Sequence, residues 1–214
     1  MSPSPAVAVV LGASADGRSA IEPSLRALIE AGAVRDVRLS APGPLQAGRH
    51  VLAEASVLRC TTAAVVSETE LGSWFPPGVA VLGAYRVEPR VHWSDPVVEP
   101  SAPVTQFSGV VRAAVLDHEG FVAHWSQRHA PLARVHHPGI ARYVQHVVTG
   151  TITPDSPALD GIAELAFASE EDFRNRFYDS EPGREIIAAD VQRFLAPRTG
   201  WRLLAADRRL DPGS

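Results

Sequence analysis

One cysteine, Cys60, and no lysine at all stand among 214 residues. A single cysteine closes no intrachain disulfide and builds no cysteine-rich zinc site, and such sparing use suits a reducing compartment. Cys60 follows Val57 and Leu58 and reads as a small buried hydrophobe rather than a nucleophile. All twenty basic residues are arginine, which removes Schiff-base chemistry and a phosphate-loop lysine. Charge of one sign is also lacking: the net charge is −4 and the pI about 6.1, so no basic field recruits nucleic acid or anionic lipid. The apolar runs are broken by Gly, Pro or charge well short of the roughly 20 residues that a bilayer span needs. Residues 1–5 lack the basic segment that opens a signal peptide. These absences lead us to expect a cytoplasmic protein without a nucleic-acid or membrane partner. What is present, 45% apolar and 21% charged residues, suits one large globular domain or two small ones.

Along the first half, residues 6–11 are a continuous apolar run, the pattern of a buried strand. Residues 12–17 form a loop without the G-x-G-x-x-G spacing of a phosphate cradle. Residues 19–31 carry Leu25, Leu28 and Ile29 on one face and stop at Gly32, as an amphipathic helix does. Residues 34–39 alternate as a half-exposed strand, 41–44 read as a loop, 50–66 suit either helix or strand, and 79–87 read as a strand after the Pro76-Pro77-Gly78 turn. Residues 88–103, rich in Pro, Val and Glu without a sustained period, read as the connection between two halves.

The second half is written more plainly. Residues 107–116 read as a strand, and Asp117 as the N-cap of a helix to about Arg128, with a further short turn at Pro131. Residues 140–148 and 161–167 read as strands around Pro- and Gly-bearing turns. Ser169 with Asp172 suggests a capped helix, 182–195 another helix, and 201–206 a last strand. The order strand, helix, strand, strand, helix, strand is the split βαβ, ferredoxin-like arrangement. The first half fits the same order more faintly. The expectation is therefore an α+β chain of two ferredoxin-like units fused in tandem, residues 1–100 and 104–210, closing an α/β barrel of the dimeric type around a cavity.

Six of the eight histidines fall between His118 and His146. Imidazole exchanges protons near neutral pH, so this is where chemistry is expected. His124 and His129 are five apart, about 140° on an α-helix, and should not share a face. No metal-binding spacing is present. His129, at the predicted helix end, is the candidate acid or base, or else a satisfied structural histidine. In 161–167, Ala163, Leu165 and Phe167 should face the helices and Ile162, Glu164 and Ala166 the barrel interior. There Glu164 is either an isolated carboxylate with a raised pKa, fit for proton transfer, or a solvated or arginine-paired residue near the mouth. Tyr143 and Gln145 share a face of 140–148. They are candidates to orient a ligand in the cavity, with a satisfied core phenol as the other reading of Tyr143.

The second half resembles the EthD family of dimeric α/β-barrel proteins. The carrying residues are Phe121, His124-Trp125, His129-Ala130-Pro131-Leu132, Gly139 to Gln145, Asp160 to Phe167, and Ser180 to Arg184, within about 105–207. The resemblance implies a ferredoxin-like fold and a cavity for a small, mostly apolar compound. It also implies a cofactor-independent enzyme of secondary metabolism that dehydrates, cyclises or isomerises a polyketide-like or aromatic substrate. His129, Glu164 and Tyr143 would be catalytic, with His124, Trp125, Gln145 and Phe107 lining the substrate. No metal or cofactor is expected, and the molecule is a monomer or a homodimer. The alternatives are a non-catalytic carrier of a hydrophobic metabolite and a cofactor-free or haem oxygenase on the same barrel.

Overall fold

The computed structural model describes residues 5–43, 55–197 and 199–212. Its frame is a closed barrel of eight antiparallel strands. In chain order these are β1 (Ala6–Ala13), β2 (Val34–Pro42), β3 (Ala55–Thr62), β4 (Val79–Ser94), β5 (Ser101–Val110), β6 (Ile140–Thr151), β7 (Gly161–Phe167) and β8 (Trp201–Leu210). Around the barrel they run β4-β1-β3-β2-β8-β5-β7-β6, and β6 closes on β4. Each half thus supplies its fourth, first, third and second strands in that order. Closure leaves no unpaired strand edge.

The helices lie outside. α1 (Ala15–Glu30) starts at Ser14, whose hydroxyl accepts from the Gly17 N–H, and stops before Gly32 at φ 69. α2 (Glu68–Gly72) is short. α3 (His118–His124) is capped by Asp117 as expected, and α4 (Ala130–His136) continues it without a break. α5 (Glu170–Asn175) and α6 (Glu181–Phe194) complete the second half. None of these helices is long and apolar enough to cross a membrane.

Over most of their length β1, β3, β6 and β7 bury both faces, one on the lumen and one on a helix layer, so buried residues run on in them without alternation. In β1, Ala8 and Val10 point into the lumen core with Val57, Tyr85, Phe107 and Ile162. Val7, Val9 and Leu11 pack under α1 with Leu25 and Leu58. In β7, Ala163, Leu165 and Phe167 pack under the second helix layer with Phe121 and Phe194. Ile162 and Glu164 point inward, as the two-residue period of a strand requires. Cys60 is buried, and burial pushes its thiol pKa up to about 12, which leaves it unreactive.

Four expectations change. Residues 88–94 are not a connection: they continue β4, because its far end pairs with β6 through Glu88 to Ser94. The strand expected over 107–116 runs instead from Ser101 to Val110, where its pairing with β7 and β8 ends. The turn at Pro131 is part of a helix that runs on from the π-turn Trp125–His129, and the proline, which has no N–H to give, sits where that wide turn hands over to α4. Of the ambiguous 50–66, residues 55–62 are strand, and 50–54 lie outside the described residues.

Candidate functional site

The α3–α4 helix contains one π-turn, Trp125–His129. The Ala130 N–H bonds to the Trp125 carbonyl five residues back, in place of the usual four. That wide turn cancels the expected 140° between His124 and His129 and swings both rings toward α6. On α6 they meet one carboxylate, Asp190. His124 Nε2 lies 2.9 Å from Asp190 Oδ1, and His129 Nδ1 lies 3.0 Å from Oδ2. Phe194, one turn further along α6, packs on both imidazoles, with centroids 4.8 and 5.1 Å away. The expectation that the two histidines do not share a face is therefore overturned, and the cause is local.

Burial lowers the His129 pKa below 6.5 against the opposing pull of Asp190, so the ring is neutral at pH 7. A carboxylate only accepts, so the proton of neutral His129 sits on Nδ1 and Nε2 keeps its lone pair. Among the described residues no protein group bonds to that Nε2. Asp190 was missed from sequence although a signal exists: it shares the apolar face of α6 with buried Ile187 and Phe194.

Tyr143 and Gln145 lie directly beneath the π-turn. Gln145 Nε2 donates to the Trp125 carbonyl at 2.9 Å and to the Tyr143 hydroxyl at 3.0 Å, and Ser126 Oγ donates to Gln145 Oε1 at 2.8 Å. Tyr143 also packs on His92 and Trp93, and burial raises its pKa. These two side chains face the helix layer and line none of the cavities described, which corrects their expected place. It is Arg142, Val144 and His146 that face the lumen. Trp125 packs on Phe121 and against Gly161, where a Cβ would sit 2.3 Å from the indole. A side chain at 161 would displace Trp125 and the π-turn with it.

Glu164 and Phe107 are in the lumen, on the opposite face of the sheet from His129. The expected grouping of His129, Glu164 and Tyr143 around one cavity does not form. Glu164 is neither isolated nor at the surface. It accepts from Arg142 Nε at 2.9 Å and from His146 Nε2 at 2.8 Å, and Arg59 Nε lies 3.1 Å away. Burial alone would raise its pKa, but Arg59, the His146 hydrogen bond and Arg142 outweigh burial and hold it well below the usual value. The expected raised pKa is thus contradicted. Asp207 belongs to the same cluster: it accepts from Ser40 at 2.7 Å, from Arg38 and Arg142 at 2.7 and 2.8 Å, and from Arg59. The Arg59 guanidinium lies 4.7 Å from the Phe107 ring centre. The pairing with arginine is the alternative expected for Glu164, although Arg59, Arg142, His146 and Asp207 were not named as its partners, each lying in a strand among apolar neighbours.

Two spaces adjoin these groups. A cavity of about 230 Å³ opens at the lumen mouth beside Arg59, Arg142, His146 and Glu164. A cleft of about 650 Å³ lies on the helix side, lined by Trp93, Arg134, His137, Asp172 and Arg176 among others. The Arg134 guanidinium stacks on Trp93 at 5.0 Å. Among the described residues no group of three or more His, Cys, Asp or Glu is placed to hold a metal ion.

Residues 114–198 match the EthD domain family, a stretch that contains His124, His129 and Asp190. No curated protein matches the chain. Among solved structures, an anthrone oxidase-like protein superposes with a TM-score of 0.59 at 10% identity, over 99% of this chain and 95% of its own. A candidate monooxygenase from Fusobacterium nucleatum subsp. nucleatum gives 0.53 at 7% identity, over 99% and 94%. A mutant chlorite dismutase from Candidatus Nitrospira defluvii in complex with cyanide gives 0.51 at 15% identity, over 99% and 93%. At these identities the likeness is one of fold.

Proposed function

With an EthD domain over residues 114–198 as the premise, we propose that this protein is a small-molecule enzyme that works by proton transfer without a cofactor. Dehydration, cyclisation or isomerisation of a polyketide-like or aromatic compound is the chemistry assigned. The observation that carries this reading is the single buried carboxylate, Asp190, held between two histidines by a π-turn. His129 Nε2 takes the proton from the substrate. Asp190 fixes the ring through Nδ1–H and offsets the positive charge that develops on it. His124 holds the other Asp190 oxygen and keeps the carboxylate in line. In this reading the substrate enters from the helix side by the cleft that Trp93, Arg134 and His137 line, a lining that does not itself include His129.

The shared strand order of the two halves supports reading the chain as two ferredoxin-like units in tandem, divided near residue 100. The first unit, without the histidine pair, then serves as the second wall of the barrel. Turnover of activated aromatic ketones and polyketide-derived compounds is the test. H129A should lower kcat by about 10²–10⁴-fold, the usual worth of a general base. A near wild-type rate in H129A would remove His129 from the role.

Two other readings have specific support. His129 lines none of the four cavities described, which favours a metabolite carrier. Affinity that survives loss of both His129 and Glu164, with no product formed, would establish one. The names of the superposed oxidase-like protein and monooxygenase favour proton abstraction followed by reaction with oxygen. Oxygen uptake that depends on His129 would show it.

A further inference from the structure

We propose that His92 is a further catalytic residue of the helix-layer site: its Nε2 donates to the substrate oxygen while His129 takes a proton from the carbon next to it. The substrate is then a carbonyl compound with an acidic hydrogen beside the carbonyl group. This inference rests on the reading of His129 as a base, and it supplies the donor that such a base needs.

His92 reaches the site through an irregularity in β4. The two-residue period sends Val87, Pro89 and Val91 to the lumen mouth, and Arg90 and His92 to the helix face. Between Val91 and Trp93 the pairing with β6 shifts: Val91 stands opposite Val144, and Trp93 opposite Tyr143. His92 is the extra residue of this bulge, and the bulge turns Trp93 onto the same face as His92. Both rings then pack on Tyr143, with centroids 5.4 and 5.0 Å away. Bulges occur often beside active sites because they re-aim a side chain.

Two contacts bracket His92 and set it opposite His129. Below, Arg90 Nη1 donates to Ser126 Oγ in the π-turn at 3.2 Å. Above, Arg134 stacks on Trp93. This end of β4 thus runs alongside the helix. His92, between Arg90 and Trp93, falls level with His129, between Ser126 and Arg134. Burial is the main cause of the lowered His129 pKa, but the charges of His124 and His92 add to it, as neighbouring imidazoles do.

His92 Nε2 is buried and has no hydrogen-bond partner among the described residues. Buried polar atoms without a partner are rare in folded proteins. The polar groups nearby are already engaged: both Asp190 oxygens by His124 and His129, and the Tyr143 hydroxyl by Gln145. Two neighbouring ring nitrogens, one on the sheet and one on the helix, are therefore free to act on one small group. An enolisable carbonyl fits them. Its C–H bond breaks and the proton passes to His129 Nε2. The C–H electron pair becomes the C=C bond of an enolate, and the carbonyl π pair moves to oxygen, where the His92 Nε2–H holds the charge. Return of the proton from His129 to another carbon completes an isomerisation with no oxidant or reductant. Trp93, the next residue, lines the helix-side cleft, and hydrogen bonds of this kind tighten only once the ligand is bound.

The coloured phenolate of 4-nitrophenol mimics the enolate and serves as the probe. The wild type should bind it saturably and favour its phenolate form, and the His92 Nε2 resonance in long-range ¹H–¹⁵N spectra should move as it binds. H92F should bind about tenfold more weakly, as loss of a hydrogen bond to a charged oxygen warrants, and should lose the bias toward phenolate. H92Q, whose amide N–H is a donor, should recover most of both, which a merely structural ring would not explain. No saturable binding, equal affinity in folded H92F, or an unmoved His92 Nε2 resonance in the wild type would overturn the proposal. The last of these needs no variant and decides the matter should H92F fail to fold. A near wild-type rate in H129A, with probe binding still dependent on His92, would remove the base and leave the donor; the opposite pair of results would remove the donor and leave the base.

Discussion

Two histidine–carboxylate pairs lie on opposite faces of one stretch of sheet, and their surroundings give them different properties. On the lumen face, Glu164 holds His146 and is gripped by Arg59 and Arg142. On the helix face, Asp190 holds His124 and His129, and no arginine reaches it among the described residues. Guanidiniums do not give up their protons, so Glu164 stays ionised and works as an anchor. Asp190 has only imidazoles for partners, and imidazole can lose or gain a proton near pH 7. The same two residue types thus make a fixed electrostatic joint in one place and, in the function proposed above, a proton-exchange centre in the other.

The largest expected effect that would break this contrast is on stability. E164A leaves Arg59 and Arg142 to share Asp207 alone and should cost about 3–5 kcal/mol, the usual penalty for opening a buried ion pair. D190A leaves the two imidazoles without the acceptor they share and should cost about 1–3 kcal/mol. Urea unfolding measures both, and equal losses would erase the distinction.

Acid titration separates the pairs next. The Asp207 pKa falls to about 2 despite burial, because Arg59, Arg38 and Arg142 favour the ionised form, and Glu164 is lowered likewise. Their contribution is complete above the unfolded carboxylate values near 4 and is lost as pH falls through the folded ones. The His129 and His137 pKa values are lowered by burial, so the unfolded chain takes up protons first. Their contribution is complete above about pH 6.5 and declines as pH falls below it. Stability should therefore drop in two stages, and D190A should alter only the upper one. A single stage below pH 4 would contradict the helix-layer part.

The smallest effect concerns the π-turn. S126A removes the hydrogen bond to Gln145 and should cost about 1 kcal/mol while leaving the acid limb unchanged.

Much of the frame was legible in the residues. Residues 161–167 are the strand expected, Asp117 and Ser169 cap the helices expected, and the inward set Ile162 and Glu164 follows from the two-residue period. What could not be read has physical reasons. In β6 both faces are buried, so alternation does not say which side is the lumen, and Tyr143 and Gln145 were placed on the wrong one. A π-turn leaves no mark in hydrophobic spacing, so His124 and His129 read as diverging. Partners such as Arg59 and Asp207 come from strands that only barrel closure brings together. His129 stood out because histidines are concentrated around it, whereas Asp190 needed attention to a charge on an apolar helix face.

The central claim is that Asp190 holds His129 as a neutral base. Long-range ¹H–¹⁵N NMR of the imidazole nitrogens across a pH series reads this directly. The account predicts a neutral His129 at pH 7, protonated on Nδ1, that becomes an imidazolium only below pH 6.5. An imidazolium at pH 7, or a proton resident on Nε2, would contradict it.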